Sequence, residues 1–302
     1  MVIYVQKSIT LKAPAKINLI LDVVGKRDDG YHNLRSVMQA ISIFDYVTLS
    51  VNYNKTHSDF PNITVKCDKP NIPTDKRNIV YKACEAFFEK SSAVPFSDIE
   101  IDIKKNIPSG AGLAGGSADG AAVLVGLNSL FDNRFSVQEL CNIGASIGAD
   151  VPFCIVGGTT LCEGIGEKLT PLTPLPDCKI LVVKPQVSIS TPLSYKRFDE
   201  LENPELSDFD RFMKATQNGN LTEISKTLSN SLEEASGEKI IDEIKSVMIK
   251  SGALGSIMTG SGSSVFGIFD DEERAKLCAE KFNGLHEFCQ ICNPVKSGIF
   301  QD

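Results

Sequence analysis

The chain has 302 residues, 42% of them hydrophobic and 23% charged, which suffices for two cores and excludes the disordered and fibrous classes. A formal net charge of −7, with no basic run denser than Lys104-Lys105, argues against a nucleic-acid binder; an anionic ligand would need a local site. No apolar run reaches the length of a membrane span, no signal-peptide pattern opens the chain, and the cysteine count is odd at nine, which favours a reducing, cytoplasmic setting.

In chain order, residues 8–24 read as two strands broken near Pro14, followed by a turn at Asp29-Gly30. Residues 34–51 are apolar and β-rich, and Ile63–Cys67 alternates like a strand. The spacing of Val80, Ala83, Phe87 and Phe88 predicts a helix over 78–90 with Asn78 as its cap. Residues 99–105 alternate strictly and predict a half-buried strand. A glycine-rich turn then runs into an apolar helix. Ser136 and Glu139 form a capping-box signature for another helix, ending near Gly148.

From about residue 157 a Gly/Thr-rich, hairpin-like stretch precedes a strand at 179–185 and three helical stretches over 191–250. Two β-like pieces flank the turn at 260–262, and a helix over 271–282 and a strand at 288–292 follow. Strands and helices mix without strict alternation, so the fold class is α+β. Cys289 and Cys292 are the one close cysteine pair, with no second pair or histidines at ligand spacing, so a zinc site is not expected. Cys141, Cys154, Cys162 and Cys278 read as small core residues.

The stretch Pro108-Ser109-Gly110-Ala111-Gly112-Leu113-Ala114-Gly115-Gly116-Ser117-Ala118-Asp119 carries the strongest chemical signal. Glycines let the backbone approach a phosphate closely, and the following helix start offers free N–H groups and partial positive charge. Ser109 and Ser117 add hydroxyls, so the physics predicts a polyphosphate cradle; the alternative is a turn that packs a helix. Gly110, Gly112 and Gly115 match the dinucleotide fingerprint literally. The preceding strand alternates, however, unlike a buried parallel strand, and Asp132 falls in a turn. No Gly-Lys-Ser/Thr follows, which excludes a Walker loop.

Four further segments carry paired readings. Lys16, inside an apolar strand, is either an edge lysine reaching solvent or a stabiliser of a transferring phosphoryl group. Asp150, just before Val151-Pro152, is a helix cap, a general base, or both. Tyr31-His32, and Tyr195 in the segment from Thr191, are packed rings or readers of a nucleobase. The run Gly260–Ser264 is a tight hairpin or a second anion nest.

Together, Ala13–Leu19, Pro108–Ala122 and Met258–Gly267 resemble the three motifs of the GHMP kinases in order and spacing. Lys16–Leu34 (KINLILDVVGKRDDGYHNL), Ile147–Phe153 (IGADVPF) and Gly166–Leu172 (GEKLTPL) resemble more narrowly the branch that acts on a cytidine-diphosphate alcohol. The resemblance implies a ribosomal protein S5 domain 2-like N-terminal domain (residues 1–156), a ferredoxin-like C-terminal domain (157–302), and a site in the cleft between them. It implies transfer of the ATP γ-phosphate to the 2-hydroxyl of 4-diphosphocytidyl-2-C-methyl-D-erythritol, a step of the non-mevalonate isoprenoid route. Asp150 matches the family's base and Lys16 its partner. Asn18 would help hold the reacting end, and Pro108 to Ala118 would wrap the ATP phosphates. Tyr31, His32 and Tyr195 match a cytidine pocket in which two rings stack on the base; Thr191, Gly260 and Gly262 would also bind the substrate, and Gly260, Gly262 and Ser263 would support the closed site. Ala118 stands where many relatives carry a hydroxyl. Mg²⁺ is implied with ATP; Ser117 is the one candidate ligand, and no dedicated carboxylate presents itself. The implied partners are the cytidine-diphosphate substrate and ATP, without nucleic acid or membrane, in a monomer or weak homodimer. Another GHMP kinase, for homoserine, mevalonate or a sugar, and a non-catalytic sensor of the same fold are the alternatives.

Overall fold

The first two strands, β1 (Gln6–Lys26) and β2 (His32–Tyr53), make one long antiparallel hairpin. The expected break at Pro14 does not occur. Proline lacks the N–H a ladder needs, and the strand absorbs it as an irregularity: the register slips between Pro14 and Ala15, and again between Asn18 and Ile20. Lys16 thus lies between two register irregularities of a continuous strand. The computed structural model describes residues 6–53, 61–91, 97–202, 204 and 206–301.

Beyond the hairpin come β3 (Asn62–Cys67), α1 (Ile79–Lys90), capped by Asn78 as expected, and β4 (Ser97–Lys104). β4 pairs with β2, and β3 runs parallel to β4 at the sheet edge. Helix α2 (Gly115–Leu130) lies across β1 and β2. Its small residues permit this: a Cβ added at Gly126 would press on Leu49 and Leu11. Helix α3 (Val137–Ala145) begins with the predicted capping box and stops short of Gly148; α4 (Val151–Val156) follows.

The hairpin β5 (Thr159–Gly164) and β6 (Lys168–Pro171) joins the first sheet through β2. Strand β7 (Lys179–Lys184) starts the second sheet, so the sheets part between Pro171 and Lys179, later than the division expected at residue 156. Between 191 and 250 five helices replace the three expected: α5 (Thr191–Asp199), α6 (Phe209–Gln217), α7 (Leu221–Lys226), α8 (Ser231–Glu234) and α9 (Lys239–Lys250). Asn220 and Asn230 each cap a new start, and β8 (Ser229–Asn230) lies between α7 and α8. The chain ends with β9 (Gly255–Met258), β10 (Val265–Phe269), α10 (Glu272–Glu280), β11 (Phe288–Cys292) and β12 (Phe300–Gln301).

The first sheet orders as β12-β1-β2-β4-β3, with β5 added to β2 and β8 to β1. The second is antiparallel, β11-β7-β10-β9. One core lies between the first sheet and helices α1 to α4 and reaches into the second sheet; the other lies around α9, α10 and the second sheet's remaining face. The cysteines expected in the core, Cys141, Cys154, Cys162 and Cys278, are buried, and all nine cysteines are free thiols.

Candidate active site

A cleft of about 970 Å³ opens where β1, the start of α2, the β9–β10 turn and α5 meet. Lys16 and Asn18 reach it from β1. Lys16 is only 4% exposed, so the reading of an edge lysine in solvent does not hold. Its Nζ donates to Asn18 Oδ1 at 2.7 Å and lies 3.7 Å from Asp150 Oδ2. A buried cation is costly unless paired and hydrogen-bonded, and both conditions are met.

Asn18 is fixed in turn. Its Nδ2 donates to Ser36 Oγ at 2.9 Å, and Ser36 Oγ donates to the Ile20 carbonyl at 2.7 Å. Its backbone N–H donates to Thr259 Oγ1 at 2.9 Å. Asp150 occupies the cap position of α4, with Pro152 in the first turn as expected, yet its side chain makes no capping bond. The carboxylate is 31% exposed beside Lys16 and so open to a ligand.

The glycine-rich loop forms the next wall. Ala114, at the cap of α2, is left-handed (φ 58°) and supplies no side-chain cap, which leaves the first-turn N–H groups of a 16-residue helix directed at the cleft. Gly112 (φ 72°) packs against the β9–β10 turn; a Cβ there would overlap the Thr259 carbonyl. Gly260 (φ 58°) approaches from the other side, and a Cβ on it would stand 3.2 Å from Lys16 Nζ. The run 260–264 is therefore a hairpin turn that also closes the site, held by Asn230 Nδ2 donating to the Gly260 carbonyl at 2.9 Å. Pro108, Ser109, Gly110, Ala111, Gly112, Ala114, Gly115, Gly116 and Ser117 all line the cleft. Leu113 and Ala118 do not: their side chains are buried in the core, and Leu113 contributes its carbonyl to the Lys16 N–H at 3.1 Å.

Asp119, unassigned by sequence, sits one turn into α2 with Lys105 and Asp45. Lys105 Nζ bonds Asp45 and lies 2.7 Å from Asp119 Oδ2. Burial lifts the Asp119 carboxyl well above the usual carboxylate range, against the pull of Lys105 and with Asp45 adding to the rise. Ile72, Pro73, Ile79 and Ile107 make an apolar wall beside this end of the cleft.

Tyr31, His32, Thr191 and Tyr195 line the same cleft. Tyr31 is 62% exposed. Tyr195 stacks on His32 with ring centroids 4.9 Å apart and planes 19° from parallel, so one of its faces meets the histidine. His32 Nε2 lies 2.7 Å from Asp199 Oδ1, and Lys26 Nζ donates to Asp199 Oδ2 at 2.6 Å. Lys26 first, then His32, hold the Asp199 carboxyl below its usual range. Thr191 Oγ1 lies 2.9 Å from Ser261 Oγ, which ties α5 to the β9–β10 turn. Gly262 lines the cleft, whereas Ser263 is buried and donates to the Val187 carbonyl.

Sequence reasoning missed Asp199, Lys26 and Thr259. Asp199 is 167 residues from His32, so no local pattern connects them. Thr259 adjoins the recognised turn and was within reach of it.

The family model described as GHMP kinases N terminal domain matches residues 78–158, and that described as GHMP kinases C terminal matches residues 212–285. The chain is 45% identical over 273 residues to a 4-diphosphocytidyl-2-C-methyl-D-erythritol kinase of Caldicellulosiruptor bescii, covering 90% of this chain and 93% of the relative. It is 45% identical over 291 residues to the enzyme of the same name from Acetivibrio thermocellus, covering 96% of this chain and 100% of the relative. Among solved structures, a 4-(cytidine 5'-diphospho)-2C-methyl-D-erythritol kinase superposes with a TM-score of 0.75 at 28% identity, covering 96% of this chain and 99% of that one. A homoserine kinase from Cytophaga hutchinsonii reaches the same TM-score of 0.75 at 19% identity, covering 98% and 97%; it shares the fold.

With its glycine-rich loop, Lys16–Asp150 pair and two-sheet cleft, the chain belongs to the GHMP kinases, ATP-dependent small-molecule phosphotransferases. Within that family, relatives at 42–47% identity over most of the chain are 4-diphosphocytidyl-2-C-methyl-D-erythritol kinases.

Proposed function

We propose that this kinase transfers the γ-phosphate of ATP to the 2-hydroxyl of 4-diphosphocytidyl-2-C-methyl-D-erythritol, giving the 2-phosphate and ADP. The observation that carries the reading is one cleft lined together by the glycine-rich loop, by Tyr31, His32 and Tyr195, and by Lys16, Asn18 and Asp150.

Phosphoryl transfer needs alignment and charge neutralisation more than covalent help. Asp150 accepts the hydroxyl proton as the oxygen attacks phosphorus. Lys16 orients the Asp150 carboxylate and offsets charge on the transferring group, and Asn18 holds Lys16 in line. The α2 N-terminus and loop 108–117 bind the β- and γ-phosphates, and the wall of Ile72, Ile79 and Ile107 takes the adenine. Tyr31 covers the cytosine, and Tyr195 supports the ring of His32 that reads its edge.

Mg²⁺ bound with ATP would neutralise the triphosphate. Magnesium on a nucleotide takes most of its ligands from phosphate and water, so one protein oxygen suffices. The Ser117 hydroxyl lines the cleft in the first turn of α2, which fits that role.

No helix among the described residues is long and apolar enough to cross a membrane. We assign the domains as residues 1–156 for the ATP-binding part and 157–302 for the substrate-binding part, with β5, β6, β8 and β12 lent to the first sheet.

The test is ADP release with Mg·ATP, offering 4-diphosphocytidyl-2-C-methyl-D-erythritol, mevalonate, homoserine and galactose in parallel. Turnover with the cytidine substrate alone is expected. Turnover with another alcohol in its place would keep the kinase and discard the cytidine pocket.

A further inference from the structure

We propose that Asp199 is a positioning residue that selects the tautomer of His32 and so makes the site prefer cytosine to uracil; this rests on the cytidine-diphosphate reading above.

Helix α5 grips one imidazole twice. Tyr195 and Asp199 are four residues apart and so share a helix face. Tyr195 covers the flat of the His32 ring at 4.9 Å, while Asp199 Oδ1 takes its edge, 2.7 Å from Nε2. His32 is 8% exposed, so the two contacts leave the ring little freedom. Lys26 occupies the second oxygen of Asp199 at 2.6 Å, which directs Oδ1 to the histidine alone.

A carboxylate has no proton to give and only accepts. The proton in the Asp199–His32 contact therefore sits on Nε2. In the neutral ring Nδ1 is then a lone-pair acceptor, as in metal and catalytic sites where a carboxylate fixes the tautomer of a histidine. No described residue hydrogen-bonds Nδ1, and His32 lines the cleft.

The two pyrimidines differ at the edge this acceptor would meet. Cytosine presents an amino donor at position 4, whereas uracil-type bases present a carbonyl acceptor there. An acceptor Nδ1 bonds the first and faces the second lone pair to lone pair. Selection arises as much from this repulsion as from the bond. Without Asp199 the ring is free to take its other tautomer, and the preference loses its cause.

The experiment compares CDP and UDP binding by calorimetry in the wild type and in Asp199→Asn. The amide of the variant both donates and accepts, so either tautomer is permitted. Wild type is expected to favour CDP by about 100-fold or more, on the scale of sites that bond a ligand N–H. The variant should narrow that preference at least about tenfold, with ATP affinity unchanged. The ratio is taken within one sample, so partial unfolding cancels, and ATP binding reports the fold. Nitrogen-15 NMR of His32 adds a signature that a merely structural role would not move. Nδ1 should be the unprotonated nitrogen in wild type, and the tautomers should mix or reverse in the variant.

An unchanged CDP-to-UDP ratio in Asp199→Asn, or a protonated Nδ1 in wild type, overturns the role of Asp199 and leaves the cytidine reading standing. Equal binding of CDP and UDP by wild type also overturns it. Wild type that binds neither diphosphate removes the cytidine reading, and the proposal with it, before any variant is compared.

Discussion

The proposed function puts Lys16 and Asp150 at the reacting atoms, and removing Asp150 should separate binding from turnover. Asp150→Asn should lower kcat by about 10²–10⁴, the range of a general base, while ATP affinity by titration stays near the wild-type value. Near-normal turnover would remove Asp150 from the reaction. Tyr31→Ala should raise KM for the cytidine substrate far more than KM for ATP, since the proposed function sets Tyr31 against the cytosine and not against ATP. Equal effects on both would refute contact with the base. These residues were legible because their types stood out locally: a lysine within an apolar strand, an aspartate before a helix-starting proline. Asp199 was not, because its meaning lies in a partner 167 positions away in the chain.

Among the elements, the loop from Gly110 to Ala114 stores the clearest local strain. Ala114 is left-handed at the cap of α2, a conformation that costs a residue with a Cβ and that glycine adopts freely. Ala114→Gly should therefore stabilise the fold by up to about 1 kcal/mol, read as a higher denaturation midpoint with an unchanged slope. Gly112→Ala should do the opposite, because its new carbon would overlap the Thr259 carbonyl as well as strain φ. Losses of about 2 kcal/mol or more, together with weaker ATP binding, are expected. Wild-type stability for Gly112→Ala would show that the two turns are not in contact. The helix starts at Asn78 and Ser136 were legible because caps are written in adjacent residues. The unbroken β1 was not, because Pro14 signals a break wherever the neighbouring strand is unknown. The short pieces β8 and α8 fall below the length at which a period can be read.

For the whole molecule, the cleft draws its walls from both sheets, so each ligand should stabilise the entire fold. ATP or CDP at about a hundred times its Kd should add about 2.7 kcal/mol, visible as a higher Tm. A ligand that leaves Tm unmoved at saturation does not bind the folded cleft. A change of pattern near residue 157 was legible, while the sheets themselves part only between Pro171 and Lys179. The crossing segments were not, since pairing between distant strands leaves no local mark. β1 illustrates this: its Leu11 and Lys12 pair with Gln301 and Phe300, and its Ile20 and Leu21 with Ser229 and Asn230. During synthesis, β1 is made long before either covering strand. At roughly 5–20 residues per second, the wait is about 10 to 60 s. An open strand edge is a template for other chains throughout that interval. The tempo of the ribosome, rather than the stability of the finished fold, sets how long the nascent sheet stands exposed.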